Sequence, residues 1–257
     1  MLMGNGYKYH HYGNYMDNSL YIGLSRQLTL FRDMDVTANN IANANTTGYG
    51  AEHILFNSYL TSDNNNGDVN PVAFANDIST YRNTDTGPLR STGNQLDVAI
   101  QGNAYFEVQT PLGKRYTKAG NFQLDGAGLL TTSEGYAVLD ASGGTITLPE
   151  DTTSVVVGEA GNIKVNGNDF GSLGIVQFDN PQFLERLNGK LFKSDVEGQP
   201  ATDARVVQGM LESSNVAPVT ELTHMMTLTH AVTDTAQFIA VINDLQRKAA
   251  NAWAQQS

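Results

Sequence analysis

The C-terminal part of the chain constrains the fold most, because residues 219–257 contain neither glycine nor proline and directly follow Pro218. Proline is well tolerated in the first turn of a helix, so Pro218 marks a helix start. Apolar and small residues then recur at steps of three and four: Leu222, Met225, Thr229, Val232, Ala236, Ile239, Ile242, Leu245, Ala249 and Ala252. A helix of about 35 residues at 1.5 Å rise is roughly 50 Å long. Its stripe therefore predicts burial against another helix.

A second amphipathic helix is predicted near the N-terminus, starting at a cap formed by Asp17 or Ser19. Its stripe consists of Leu20, Leu24, Phe31, Met34, Ala38 and Ile41. Asparagines and a glycine in 43–49 supply the turn chemistry that ends it, and Gly48, which has no Cβ, is predicted to have a positive φ. Residues 1–15 show no helical or strand period and are expected to form a disordered extension. The polar stretch 61–68 is expected to be a mobile loop.

Between about residues 80 and 216 the period changes to two, as in Leu96, Val98 and Ile100. Turn signals such as Gly87-Pro88, Asp125-Gly126 and Asn166-Gly167 separate these short segments. The pattern predicts an antiparallel β domain. The predicted fold class is α+β, in which long terminal helices pack as a coiled coil and flank a central, mostly antiparallel β domain. The predicted segments are an extension (1–15), a helix with an extended loop (16–79), the β domain (80–216) and the C-terminal helix (217–257).

Charge and composition exclude several classes of function. The chain has 15 basic and 26 acidic residues, a net charge of −11, which disfavours binding to nucleic acid. It has no cysteine, so disulfides, thiolate zinc sites and cysteine nucleophiles are excluded. No apolar run reaches the 18 to 20 or so residues of a membrane span, and the first residues lack the apolar core of a secretory signal. Direct insertion into a membrane is not expected.

No catalytic or metal-binding template fits the spacing of the polar residues. The stretch 126–131 lacks the third glycine of a dinucleotide-binding loop. In the run from Asp63, a calcium loop would need Glu at its twelfth position, where Phe74 stands. His224 and His230 are six residues apart and lie on different faces of a helix. No catalytic residue, cofactor or metal site is therefore predicted.

Three stretches, in the same order along the chain, resemble the flagellar basal-body rod proteins of the rod/hook family. Residues 16–21 and 35–49, the latter reading DVTANNIANANTTGY, are similar to the N-terminal signature of that family. The stretches 93–102 (GNQLDVAIQG) and 115–122 (RYTKAGNF) resemble its β-domain core. The segment 208–216 (QGMLESSNV) resembles the approach to its terminal helix. The stretches 20–25 and 173–178 are most similar to proximal-rod members, and distal-rod members are the near alternative.

The resemblance implies a non-enzymatic structural subunit of the rod that crosses the periplasm and transmits torque. Its implied partners are itself and other rod subunits in a helical assembly, and the flagellar type III export apparatus that carries it out of the cytoplasm. The alternative from another class is a secreted carbohydrate-active or carbohydrate-binding β protein. The stripes and the signature together predict an assembly interface of Leu24, Phe31, Met34, Ala38, Asn39, Asn40, Ile41, Asn43, Gly48, Leu222, Met225, Val232, Ile239, Ile242 and Leu245.

Overall fold

The computed structural model describes residues 10–61, 72–187 and 190–255. Two long helices enclose the β strands in chain order, and most strand pairs are antiparallel, so the predicted α+β class is confirmed. The chain forms two compact units. Unit one contains residues 1–39, 53–81 and 219–257, and unit two contains residues 40–52 and 82–218. The second unit thus includes a segment of the N-terminal signature in addition to the predicted β domain.

The two helices are α1 (His10–Ala42) and α2 (Pro218–Ala254). Helix α2 begins at the proline that the sequence analysis identified. Helix α1 begins at His10 and not at Asp17, so residues 10–15, assigned above to a disordered extension, are helical. Extending an existing helix adds one hydrogen bond per residue fixed, and no proline in 10–17 prevents it. The remaining residues of that extension, 1–9, lie outside the described part of the chain.

Helices α1 and α2 contact each other within unit one and run antiparallel. A Cβ built on Gly23 would lie 3.1 Å from Cγ1 of Ile239. Further along α1, Oδ1 of Asp33 lies 3.4 Å from Nε2 of His224. Residue numbers thus rise on α1 as they fall on α2, so the two chain directions oppose each other.

A two-stranded sheet of β1 (Glu52–Thr61) and β2 (Val72–Arg82) lies in unit one, except for its end residues Glu52 and Arg82, which belong to unit two. The expectation that the first helix is followed by an extended loop up to residue 79 is wrong for these two strands. A ladder of backbone hydrogen bonds can form without a clear alternation of apolar side chains, so the residue pattern did not predict these two strands. Of the polar stretch 61–68, expected above to be a mobile loop, Thr61 is the last residue of β1 and residues 62–68 lie outside the described residues.

Unit two is built from short strands. They are β3 (Leu89–Ser91), β4 (Val98–Gln101), β5 (Ala104–Thr110), β6 (Gly113–Thr117), β7 (Gln123–Leu124), β8 (Leu130–Thr131), β9 (Ala137–Val138), β10 (Val155–Val157), β11 (Asn162–Val165), β12 (Asn168–Ser172), β13 (Ile175–Gln177), β14 (Glu185–Arg186), β15 (Leu191–Lys193), β16 (Gln199–Pro200), β17 (Arg205–Gln208) and β18 (Met210–Glu212). The largest sheet has the order β14-β15-β6-β5-β9-β8-β7, and β13 joins it by pairing with β5 and β16. Strands β10, β11 and β12 form a smaller sheet, and β17 pairs with β4 and β18 with β3.

Strand β5 separates two apolar clusters because successive residues of a strand point to opposite faces. Phe106 and Val108 are fully buried in the larger cluster, where the Phe106 and Phe122 rings meet edge to face at 5.0 Å. Tyr105 lies in the smaller cluster on the other face, with Phe192 at 5.5 Å between ring centroids. Strand β5 is therefore the central element of unit two, and its two faces hold the surrounding strands in place.

Candidate functional site

The first candidate surface is an exposed apolar stripe on α1. Gly23 and Thr37 are buried and Leu30 between them is half-buried, a spacing of seven residues. The exposed apolar residues Leu24 and Phe31 each follow one of these positions by one. Tyr21 and Leu28 belong to the same exposed stripe. The four side chains, those of Tyr21, Leu24, Leu28 and Phe31, are between 45% and 62% exposed. Apolar side chains in such a contiguous row indicate an interaction surface.

Helix α2 has a similar arrangement, with two exposed patches. Its buried and half-buried positions repeat at heptad spacing and include Met225, Leu228, Val232, Thr235, Ile239 and Ile242. In the first half of α2 the exposed apolar residues Leu222 and Met226 lie one position after a buried or half-buried one. In the second half of α2, the exposed residues Phe238 and Val241 lie one position before a half-buried residue. The two patches thus lie on opposite sides of the buried row.

Exposed threonines extend the first of these patches without presenting unpaired hydroxyls. Thr229 Oγ1 donates to the Met225 carbonyl oxygen at 2.8 Å, and Thr233 Oγ1 donates to the Thr229 carbonyl oxygen at 2.9 Å. Because each hydroxyl already donates a hydrogen bond to its own helix, a partner can cover it without leaving the donor unsatisfied. Both threonines continue the row of Leu222 and Met226.

The structure divides the predicted interface residues into three groups. Exposed are Leu24, Phe31, Ala38, Asn39, Leu222 and Leu245. Half-buried on the helices of unit one are Met34, Met225, Val232, Ile239 and Ile242. Asn40, Ile41, Asn43 and Gly48 belong to unit two. Periodicity finds all apolar helix positions, but it cannot distinguish the face that a helix buries within its own chain from the face that remains exposed.

The junction segment, residues 40–52, forms the second candidate region and contains the turn predicted at Gly48. Gly48 has a φ of +69°, which confirms the predicted positive value. Its N–H donates to the Glu212 carbonyl oxygen at 2.9 Å. A Cβ at this position would lie 2.8 Å from the Lys118 carbonyl carbon and 2.9 Å from the Ala119 nitrogen. Glycine is required here both by backbone conformation and by the close approach of a second chain segment.

Asn40 holds the start of the junction segment by pairing with the backbone of Glu52. Its Nδ2 donates to the Glu52 carbonyl oxygen at 2.8 Å, and its Oδ1 accepts from the Glu52 N–H at 2.9 Å. The Tyr49 hydroxyl also donates to the same oxygen, at 3.3 Å. Only 1% of Asn40 is exposed, so these bonds replace the hydrogen bonds that water would make. Asn43 has a smaller local role, since its Oδ1 accepts from the Thr46 hydroxyl at 3.1 Å.

An arginine that the sequence analysis did not identify fastens the same segment. Arg186 donates from Nη2 to the Gly50 carbonyl oxygen at 2.6 Å, and its Nη1 lies 3.3 Å from the Glu52 carboxylate. Its guanidinium also stacks over the Tyr49 ring at 4.1 Å. The arginine is 136 residues away in sequence from the Gly50 carbonyl and the neighbouring Tyr49 ring, so no local pattern could have revealed the contact.

Two further amides, also absent from the prediction, bind backbone in unit two. Gln182 accepts from the Arg82 N–H at 3.1 Å and donates to the Arg82 carbonyl oxygen at 2.6 Å. Asn215 accepts from the Ala51 N–H at 2.7 Å and donates to the Asp85 carbonyl oxygen at 2.9 Å. Like Asn40, each amide acts as a short strand would, by donating to and accepting from backbone. The junction segment and residues 82–85 are thereby fixed to unit two.

A buried ion pair lies beside the Gly48 turn. Lys118 Nζ is 3.7 Å from Oε1 of Glu212, and that oxygen also accepts from the Gly87 N–H at 3.0 Å. Burial raises the pKa of Glu212 above its usual value, although the Lys118 charge and the Gly87 hydrogen bond act in the opposite direction. The carboxylate is thus a structural group whose charge costs energy to bury.

Within the described ranges, no group of histidine, cysteine, aspartate and glutamate side chains is arranged to hold a metal ion. The described helices also include none that is long and apolar enough to cross a membrane. The candidate functional regions are therefore the exposed apolar surfaces on α1 and α2 in unit one and, described separately, the junction segment of unit two.

Three family models match the chain in the order of its segments. The model described as flagella basal body rod protein matches residues 20–49, which cover most of α1 and the Gly48 turn. The flagellar hook protein FlgE/F/G D1 domain matches residues 99–165. The flagellar basal body rod FlgEFG protein C-terminal model matches residues 207–252, which include most of α2.

Curated relatives are similar over most of their length. Flagellar basal-body rod protein FlgF of Caulobacter vibrioides is 39% identical over 237 residues, covering 91% of this chain and 97% of that protein. FlgF of Rhizobium meliloti is 35% identical over 221 residues, covering 84% and 89%. Flagellar basal-body rod protein FlgG of Bacillus subtilis is 30% identical over 263 residues, covering 92% and 99%.

Proposed function

Because the chain belongs to the family of flagellar basal-body rod proteins and is a structural subunit of that rod, we propose that it is a non-enzymatic FlgF-type subunit of the proximal rod. Identity to the FlgF relatives is 35% to 39%, against 28% to 31% for the FlgG relatives, which supports the FlgF type over the distal-rod alternative. Export by the flagellar type III apparatus is part of the proposal. The absence of cysteine is compatible with it, since the chain needs no disulfide on either side of the membrane.

The helices of unit one are proposed to pack on each other as an antiparallel coiled coil. Support comes from the contacts of Gly23 with Ile239 and of Asp33 with His224, and from buried positions that repeat every seven residues. Burying an apolar row in this way is what stabilises a long helix in water.

The single observation that carries the assembly proposal is the pair of apolar flanks beside this coiled coil. In an antiparallel helix pair, the residues that directly follow the buried positions of one helix lie on the same side of the pair as the residues that directly follow the buried positions of the other helix. The first flank therefore consists of Tyr21, Leu24, Leu28 and Phe31 with Leu222 and Met226. Val219, seven residues before Met226, continues this flank. The second flank, one position before the buried row, consists of Phe238, Val241 and Leu245. All ten leave more than a third of their side chains exposed.

Two different flanks on opposite sides determine the kind of assembly. A surface that pairs with its own copy closes a dimer, whereas a contact between two different surfaces continues from subunit to subunit. A rod needs the second kind of contact. We assign the exposed predicted residues Leu24, Phe31, Leu222 and Leu245 to contacts between subunits, and the half-buried ones to the coiled coil within each subunit.

The proposal is tested by Phe31→Asp, with Phe170→Asp as the matched control. The two phenylalanines are 45% and 42% exposed, but Phe31 lies on the first flank and Phe170 on β12 of unit two. Because a carboxylate covered by an apolar partner loses several kcal/mol of hydration, Phe31→Asp should block rod assembly at unchanged export. Phe170→Asp should leave assembly intact.

Electron microscopy of isolated basal bodies and swimming in soft agar measure assembly, and the amount of secreted protein measures export. Ile239→Asp provides a contrast, because it should weaken the helix pair in the purified chain itself. Normal rods with Phe31→Asp, or equal loss with Phe170→Asp, would refute the assignment of the first flank to subunit contacts.

A further inference from the structure

A groove of about 660 Å³ opens on unit two beside the turn between β5 and β6. Its apolar wall includes Leu112, which is 80% exposed, together with Tyr136 and Leu191. Arg115, Arg186 and Lys190 provide positive charge, and Glu134 is the acidic residue of its lining. Arg186 already pairs with Glu52. A basic groove is unusual on a chain of net charge −11.

Arg115 is held in a fixed position with hydrogen-bonding capacity to spare. It donates from Nη1 to the Lys114 carbonyl oxygen at 2.6 Å and from Nη2 to the Leu112 carbonyl oxygen at 2.8 Å. A guanidinium has five N–H groups, so one on each terminal nitrogen is left over after these bonds. Lys190 by contrast already pairs with Glu134, at 3.2 Å. Among the described residues, no carboxylate pairs with Arg115, and a fixed cation of this kind suits an incoming carboxylate.

The same chain carries a segment of complementary chemistry with an exposed centre, the acidic tip, residues 194–198. At its centre Val196 is 72% exposed between two exposed acids, Asp195 and Glu197. The Ser194 hydroxyl donates to the Val196 carbonyl oxygen at 2.6 Å, and the Val196 N–H donates to Ser194 Oγ at 3.1 Å, so the turn is held in shape. Lys193 lies near Asp195, at 3.6 Å, but is shared with Glu185.

We propose that the acidic tip of one copy docks into the groove of the next copy in the rod, with Val196 against Leu112 and Tyr136 and a tip carboxylate on Arg115. Groove and tip are different surfaces of one chain, and none of the tip residues lines the groove. The contact is therefore heterologous and repeats from subunit to subunit, like the one proposed for the helical flanks. It also places an unpaired cation against the acids of a neighbour, where two copies of so acidic a chain would otherwise repel each other. The inference rests on the proposed function, because it requires a self-assembling subunit.

Charge reversal with rescue tests the docking. Asp195→Lys with Glu197→Lys should reduce swimming, and so should Arg115→Glu, while the combination of all three should restore much of it. The control is Asp169→Lys with Glu159→Lys, which makes the same change of net charge at acids whose side chains are also mostly exposed, 86% and 71%. This control should swim normally. Failure of the tip reversal to affect swimming, or an equal loss in the control, would overturn the proposal.

Cysteine cross-linking tests the contact without changing charge, and the cysteine-free chain gives it no background. In a chain carrying Leu112→Cys and Val196→Cys, oxidation of isolated basal bodies should yield disulfide-linked dimers and higher ladders. A chain with Phe170→Cys and Val196→Cys should yield none. Assembled rods with no ladder from the first pair would overturn the docking and leave the proposed function intact. Loss of rods with Phe31→Asp concerns the flanks alone, so the two failures are distinguishable.

Discussion

Replacing Gly48 by alanine should destabilise unit two for two separable reasons. A residue with a Cβ in the left-handed region costs roughly 1 to 2 kcal/mol. The new Cβ would also lie under 3 Å from backbone atoms of Lys118 and Ala119, so the backbone must shift and the Gly48 hydrogen bond to Glu212, worth about 1 kcal/mol, weakens. The expected loss is therefore about 2 to 3 kcal/mol or more.

Gly93→Ala is the matched control for the conformational part. Gly93 has a φ of +72°, yet nothing lies within 4 Å of the position that its Cβ would occupy. It should lose only about 1 to 2 kcal/mol. The difference between the two variants measures the close approach of the Gly48 turn to residues 118 and 119.

Native-state hydrogen exchange on the full chain gives the magnitudes at amides of the unit-two core, such as Phe106 and Val108. Because about 1.4 kcal/mol corresponds to a tenfold change in an equilibrium constant, Gly48→Ala should reduce protection by about thirtyfold or more, and Gly93→Ala by roughly five- to thirtyfold. If Gly48→Ala loses no more protection than Gly93→Ala, the steric part of the reasoning is wrong.

Three further changes test other contacts. Gly23→Leu should separate the two helices, because a Cβ at this position already lies 3.1 Å from Ile239 and leucine adds further atoms beyond it. Thermal melting followed by far-ultraviolet circular dichroism should therefore occur at a lower temperature. The smaller change Gly23→Ala should melt close to wild type. Gln182→Leu should lower the stability of unit two by about 1 to 3 kcal/mol in urea unfolding, because it leaves the Arg82 backbone N–H and carbonyl without the amide. Burial raises the folded-state pKa of Glu212, so its contribution to stability is present below the unfolded pKa and is lost as the pH rises through the folded value. Relative to Glu212→Gln, wild type should therefore gain thermal stability as the pH falls from neutral towards the usual pKa of a glutamate, and a constant difference would contradict this.

The sequence by itself determined the elements whose signals are local. The run after Pro218 without glycine or proline defined α2, period-two segments with turn signals defined the β domain, and the signature around Gly48 indicated both the family and a left-handed turn. Each signal acts over one or two turns of chain, where backbone sterics and side-chain periodicity act directly. The failures were local too, since neither the helical start at His10 nor the β1–β2 pairing follows from apolar alternation.

Tertiary structure alone decided which residue of each stripe is covered and what holds the junction segment. Leu24 and Met34 belong to one amphipathic pattern, yet one is exposed and the other half-buried, because the position of the second helix selects the buried row. Gln182 and Arg186 bind backbone about 100 or more residues away in sequence. Such contacts depend on where folding brings distant segments together, so no pattern within a short stretch of sequence can encode them visibly.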